Sequence, residues 1–179
     1  MFFQVFTTLL IYSIILMLLT YYFNLFVSKT EYTREDFRNI LPQLGQMFEK
    51  IYRNYSITGV LFVYLISGVS GIVFPYLFQN YLMNSALVPV ILYFTGPRLA
   101  IYFEQTRVTI SDNINDRFQI IYLRYHNYII TGFNAGFVSG IIYNWINLGV
   151  ISFLWLVINL VIITFLTVMI LRNEIFLNL

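Results

Sequence analysis

No cysteine occurs among the 179 residues, and that one absence removes several chemistries together. Disulfides, thiolate metal sites, iron-sulfur clusters and cysteine nucleophiles all need a sulfur that this chain lacks. Histidine occurs once, at His126, so one copy can assemble neither a bis-histidine haem site nor a histidine-rich metal site. No GxSxG elbow is present, and the glycines of the chain stand without the lysine of a phosphate loop. Charge is scarce as well, at 10% of residues against 59% hydrophobic. Soluble domains carry roughly 25% charged residues, so this composition points to a membrane protein. The ten basic residues are interleaved with eight acidic ones, which argues against a nucleic-acid surface.

What is present is long and apolar. Stretches from Val5 to Val27, Ile57 to Phe78, Leu82 to Phe103, Tyr128 to Trp145 and Leu148 to Leu171 each approach the length of a membrane span. The reading is an all-α membrane protein of five transmembrane helices, a single polytopic domain over 1–179. Every charge falls in Lys29 to Arg53, Arg98 to Arg124 or Arg172 to Glu174. With five spans these three segments emerge on one side, which by the positive-inside rule is the inner one, and the N-terminus lies outside. Met1 to Gln4 offers no basic leader and no small-residue cleavage site follows the first span, so that span is expected to be retained.

The chain also repeats itself. NYSITG at Asn54 to Gly59 returns as NYIITG at Asn127 to Gly132, and SGIVF at Ser70 to Phe74 returns as SGIIY at Ser139 to Tyr143. Upstream of the first copy, Phe37, Ile40, Leu41, Leu44, Phe48, Ile51 and Tyr55 recur at helical spacing behind a Thr33 and Asp36 capping box. Upstream of the second, Ile114, Phe118, Ile121 and Tyr125 do the same behind Ser111 and Asp112. This predicts two interfacial amphipathic helices, each leading into a two-helix hairpin. The span 5–27 would then precede two parallel repeat-like units, 33–103 and 111–171.

Gly132, Gly136 and Gly140 form a tandem GxxxG, and Gly59, Ser67, Gly71 and Pro75 make a second small-residue stripe. Such stripes let backbones approach closely, either against a partner helix or against each other within the chain. The spans at 5–27 and 148–171 are bulky and apolar apart from Asn24 and Asn159, which suits lipid or a partner. Arg98, Glu104 and His126 are the polar candidates for chemistry. FTGPR at Phe94 to Arg98 sets a Gly-Pro pair and a cation in the third span, which reads as a broken transporter helix or as a span ending near Tyr93 with Arg98 at the interface. His126 reads as a relay or quinone contact, or as an interfacial polar residue at a helix start.

These features predict a subunit without catalytic residues, metal ligands or an intrinsic cofactor, although a bound lipid fits. Its partners would be other membrane subunits and lipids. Alanine appears only at Ala86, Ala100 and Ala135. That avoidance is the mark of an AT-rich gene and points to the mitochondrial inner membrane, to a respiratory-chain complex or ATP synthase, with a bacterial inner membrane as the alternative. The rival functions are a small oligomeric transporter or channel using the Arg98 region, and an accessory subunit binding lipid or quinone.

Overall fold

A computed structural model of the chain describes residues 2–28, 40–106, 114–149 and 151–177, and among them there are six α-helices and no strand. They are α1 (Phe2–Val27), α2 (Ile40–Asn54), α3 (Ile57–Leu77), α4 (Leu87–Thr106), α5 (Ile114–Leu148) and α6 (Phe153–Arg172). A π-helical turn, Asn173–Leu177, continues α6. The capping boxes at Thr33 and Asp36 and at Ser111 and Asp112, and the side chains of Phe37 and Ile114, lie outside the described residues.

Four helices, α1, α3, α5 and α6, are long and apolar enough to cross a membrane. The fifth candidate, α4, has the length, at 20 residues, but holds Gly96, Pro97, Arg98 and Glu104 inside it. It does not end near Tyr93. It runs through Pro97 to Thr106, and in the stretch that proline weakens Tyr122 Oη donates to the Gly96 carbonyl at 3.2 Å. This helix also starts later than the expected Leu82, because the segment before Leu87 turns on itself. There Asn84 donates to the Phe78 and Asn80 carbonyls at 2.6 and 3.0 Å.

A larger difference concerns the second interfacial helix, which does not stand apart from the fourth span. Residues 114–148 form one continuous α5 of 35 residues, about 52 Å at 1.5 Å per residue. The two copies of the hexapeptide differ at one position, and that position explains the contrast. Ser56 caps α3, its hydroxyl accepting from Gly59 N–H at 3.4 Å, so α2 ends at Asn54 and a new helix begins at Ile57. The matching residue, Ile129, has no oxygen to cap with, and the helix passes straight through it. Only at Gly149 does α5 stop, where a φ of 60° gives the left-handed end that glycine tolerates. Ser152 then caps α6 by accepting from Trp155 N–H at 3.4 Å.

Directions follow from the contacts. Gly68 meets Gly136 and Pro75 meets Gly140, so α3 and α5 run parallel. Gly96 meets Ile130 while Phe103 meets Tyr122, and Asn134 bonds Thr167 while Asn127 bonds Glu174, so α4 and α6 run against α5. Tyr12 bonds Thr164 while Ser13 bonds Tyr64, which sets α1 alongside α6 and against α3. Of the four apolar helices, α5 is the one mostly buried. Its Thr131, Asn134, Ser139 and Asn144 are each nearly inaccessible, and lipid would leave such groups unsatisfied. The bulky α1, α3 and α6 surround it and turn Ile14, Phe62 and Val161 outward.

Candidate functional site

The closest approach in the bundle is the seam between α3 and α5. A Cβ added at Gly136 would overlap the Gly68 carbonyl, one at Gly71 would overlap the Phe133 carbonyl, and one at Gly132 would overlap the Tyr64 carbonyl and Ser67 Oγ. At Gly140 it would lie 3.0 Å from both the Ile72 carbonyl and Pro75 Cγ. The two small-residue stripes therefore face each other inside one chain. Glycine is required here because backbone, unlike a flexible side chain, cannot move aside.

Buried amides tie the ends of the helices together. Asn144 on α5 donates to the Pro75 carbonyl at 2.9 Å and to Asn84 Oδ1 at 3.0 Å. Asn159 on α6 accepts from Ala86 N–H at 2.6 Å, satisfying one of the unpaired donors at the start of α4. In the middle, Asn134 donates to Thr167 Oγ1 at 3.0 Å. At the charged end, Asn24 Oδ1 accepts from Arg172 Nε at 3.3 Å.

That charged end holds the most distinctive group. Glu174, in the π-helical turn, is 5% exposed. Its carboxylate accepts from Tyr55 Oη on one oxygen and from Asn127 Nδ2 at 2.5 Å on the other. Tyr55 belongs to the first copy of the hexapeptide and Asn127 to the second, so both copies converge on one carboxylate. Tyr128 stacks edge-on against Tyr55, with ring centroids 5.2 Å apart. Burial first, and then the bond to Glu174, push the Tyr55 phenol above its ordinary value. The phenol thus remains a donor to an acidic group carried to the end of an apolar helix. Lys50 lies over the Phe176 ring at 5.0 Å in the same region, tying α2 to the π-helical turn.

Beside this cluster is a cleft of about 410 Å³ between α4 and α6, floored by α5. Arg98, His126, Asn127 and Asn173 form its polar wall, and Tyr93, Phe94, Pro97, Ile130 and Ile170 its apolar wall. Two of the three polar candidates, Arg98 and His126, thus share one cavity. Glu104 does not line it and is exposed farther along α4. His126 lies inside α5 rather than at a helix start, with Nδ1 3.3 Å from the Leu123 carbonyl.

Sequence reasoning missed Glu174 because it stands in the last charge window and looks solvated. The signal for it was already in the repeat: an Asn-Tyr pair occurs at the same place in both copies, and both pairs bear on the carboxylate. Asn134 and Asn144 were also missed, although an amide within an apolar run is itself a sign of burial against a partner. No family model, curated protein or solved structure matches the chain. The fold itself defines the class: an all-α chain with four helices long and apolar enough to cross a membrane, built around a central, polar-studded helix.

Proposed function

We propose that the chain is a non-catalytic, five-span subunit of a multi-subunit membrane complex, supplying packing surface to neighbours that carry the chemistry. One observation carries this reading. On α2, Leu44, Met47 and Ile51 pack into the core, whereas Leu41, Phe48 and Tyr52, 82%, 56% and 67% exposed, form an adjacent stripe that nothing among the described residues covers. A helix apolar on two neighbouring stripes serves two surfaces, one its own core and the other a partner or the membrane interface, and we take it as a partner's. The buried amides of Asn134, Asn144 and Asn159 each tie one helix to another. For the fifth span, support comes from α4 running antiparallel to α5 with Arg98 near the end that also holds Arg172 and Glu174. The scarcity of alanine favours a mitochondrial inner-membrane setting, within a respiratory-chain complex or ATP synthase, over a bacterial one.

The test is isolation from native membranes in mild detergent. Distinct chains should co-migrate with this one, and the Leu41→Ser, Phe48→Ser, Tyr52→Ser variant should lose them while keeping its own helicity. A chain that migrates alone, or only with copies of itself, would replace this reading with the oligomeric transporter, which the Arg98 and His126 cleft favours. The fifth span is checked separately, since the chain has no native cysteine. Cysteines placed at the exposed Gln79, ahead of α4, and Gln105, in its last turn, should label from opposite faces, and labelling from one face removes α4 as a span.

A further inference from the structure

Arg98 lies on an exposed, otherwise apolar strip of α4, flanked at helical spacing by Phe94, Ile101 and Tyr102. It forms no hydrogen bond or ion pair among the described residues. A guanidinium cannot shed its charge, so at a membrane surface it takes an anion from its surroundings. The cleft beside it shows which kind. The exposed Asn173 adds an amide donor on the opposite lip, and His126, its Nδ1 bonded to the Leu123 carbonyl, lines the cleft too. The carboxylate of Glu174 does not line the cleft and is held behind Asn127. The remaining wall is Tyr93, Phe94, Pro97, Ile130 and Ile170, a mostly apolar surface that suits an acyl chain.

We infer that this cleft binds the phosphate head of an anionic phospholipid, with Arg98 forking onto the phosphate oxygens, Asn173 donating from the opposite lip, and an acyl chain along the apolar wall. The site stands independently of whether the chain serves as a subunit. The experiment uses the full chain purified from nanodiscs of mixed phosphatidylcholine and phosphatidylglycerol, with retained lipid counted by native mass spectrometry. Wild type should retain one phosphatidylglycerol. Arg98→Gln should reduce its occupancy about tenfold, the size of one charge-assisted contact at 1.4 kcal/mol. Arg98→Lys, which keeps the charge, should retain part of the binding, and Arg117→Gln, on an exposed part of α5, should change nothing. Equal retention by wild type and Arg98→Gln would overturn the site. Displacement of the lipid by millimolar inorganic phosphate would overturn the lipid assignment and leave a site for a free anion.

Discussion

At Asn54–Gly59 the chain leaves one helix and enters another at the surface, whereas at Asn127–Gly132 nearly the same residues run through the buried middle of α5. Asn54 is exposed, while Asn127 holds a carboxylate. Gly59 faces the Tyr125 ring, while Gly132 faces the backbone of α3. Along the shared axis Gly132 stands level with Tyr64 and Ser67 rather than with Gly59, so the two copies occupy different depths. The serine that caps and the isoleucine that cannot account for the break, and burial follows from it: a capped start leaves the first copy at an end, and an unbroken helix carries the second inward.

The comparison breaks most severely at the seam where the two helices meet. Gly136→Leu drives a side chain into the Gly68 backbone and should cost about 3 kcal/mol or more, the top of the range for overpacking, because neither backbone can yield. Gly45→Leu, on α2 with nothing within 4 Å, should cost almost nothing, and thermal unfolding in one detergent compares the two. Equal melting temperatures would mean that α3 and α5 do not touch.

Matched substitutions at the first position of each copy sharpen it further. Asn127→Leu removes a donor from the buried Glu174 carboxylate and should destabilise by about 1–3 kcal/mol, whereas Asn54→Leu should stay within about 0.5 kcal/mol of wild type. A similar loss at both sites would place Glu174 outside the bundle. Next comes Ser56→Ile, which makes the first copy read like the second and should cost about 1 kcal/mol through the lost cap. Spin labels on α2 and α3 should report a straighter junction, and an unchanged junction would locate the break elsewhere.

The smallest effect is on pH dependence. The folded-state value of Tyr55 is raised, so the neutral phenol is the form that folding favours. Its contribution is complete below the ordinary tyrosine value near 10 and is lost as pH climbs through the higher folded value. Wild type should therefore lose stability faster than Tyr55→Phe above about pH 10, where an unperturbed tyrosine begins to ionise. Parallel alkaline curves would show that Tyr55 is not bonded to Glu174.

Much of this was legible because the bilayer permits few solutions. Apolar runs of span length gave the helices, and the small-residue stripes gave candidates for close contact, since small side chains let backbones approach. The continuity of α5 was not legible from periodicity, because an amphipathic lead-in and a buried span share a period of 3.6 and join without a seam. Nor was the inward face of α2. Leu44, Phe48 and Ile51 fall on one predicted stripe, but Met47 turns in and Phe48 turns out, a choice of about one residue's rotation that the neighbouring core decides. Glu174 was hidden for a different reason: its partners lie far away in sequence, and charge alone does not distinguish a solvated acid from a held one.

The lengths of the helices carry a consequence for the surrounding lipid. At 21 and 20 residues, α3 and α6 span about 31 and 30 Å, the thickness of an ordinary hydrocarbon layer, while α5 exceeds it by some 20 Å. In a thicker bilayer α5 could not use that excess, because Arg117, Arg124 and His126 sit in it and would be drawn into hydrocarbon, so its apolar part is matched to α3 and α6. The Asn144 link to α3 and the Asn159 link between α6 and the start of α4 join these helices at one end of the bundle, and a change in thickness would load both links together. Hydrophobic thickness would thus be felt first at two side-chain amides, long before any helix unwound.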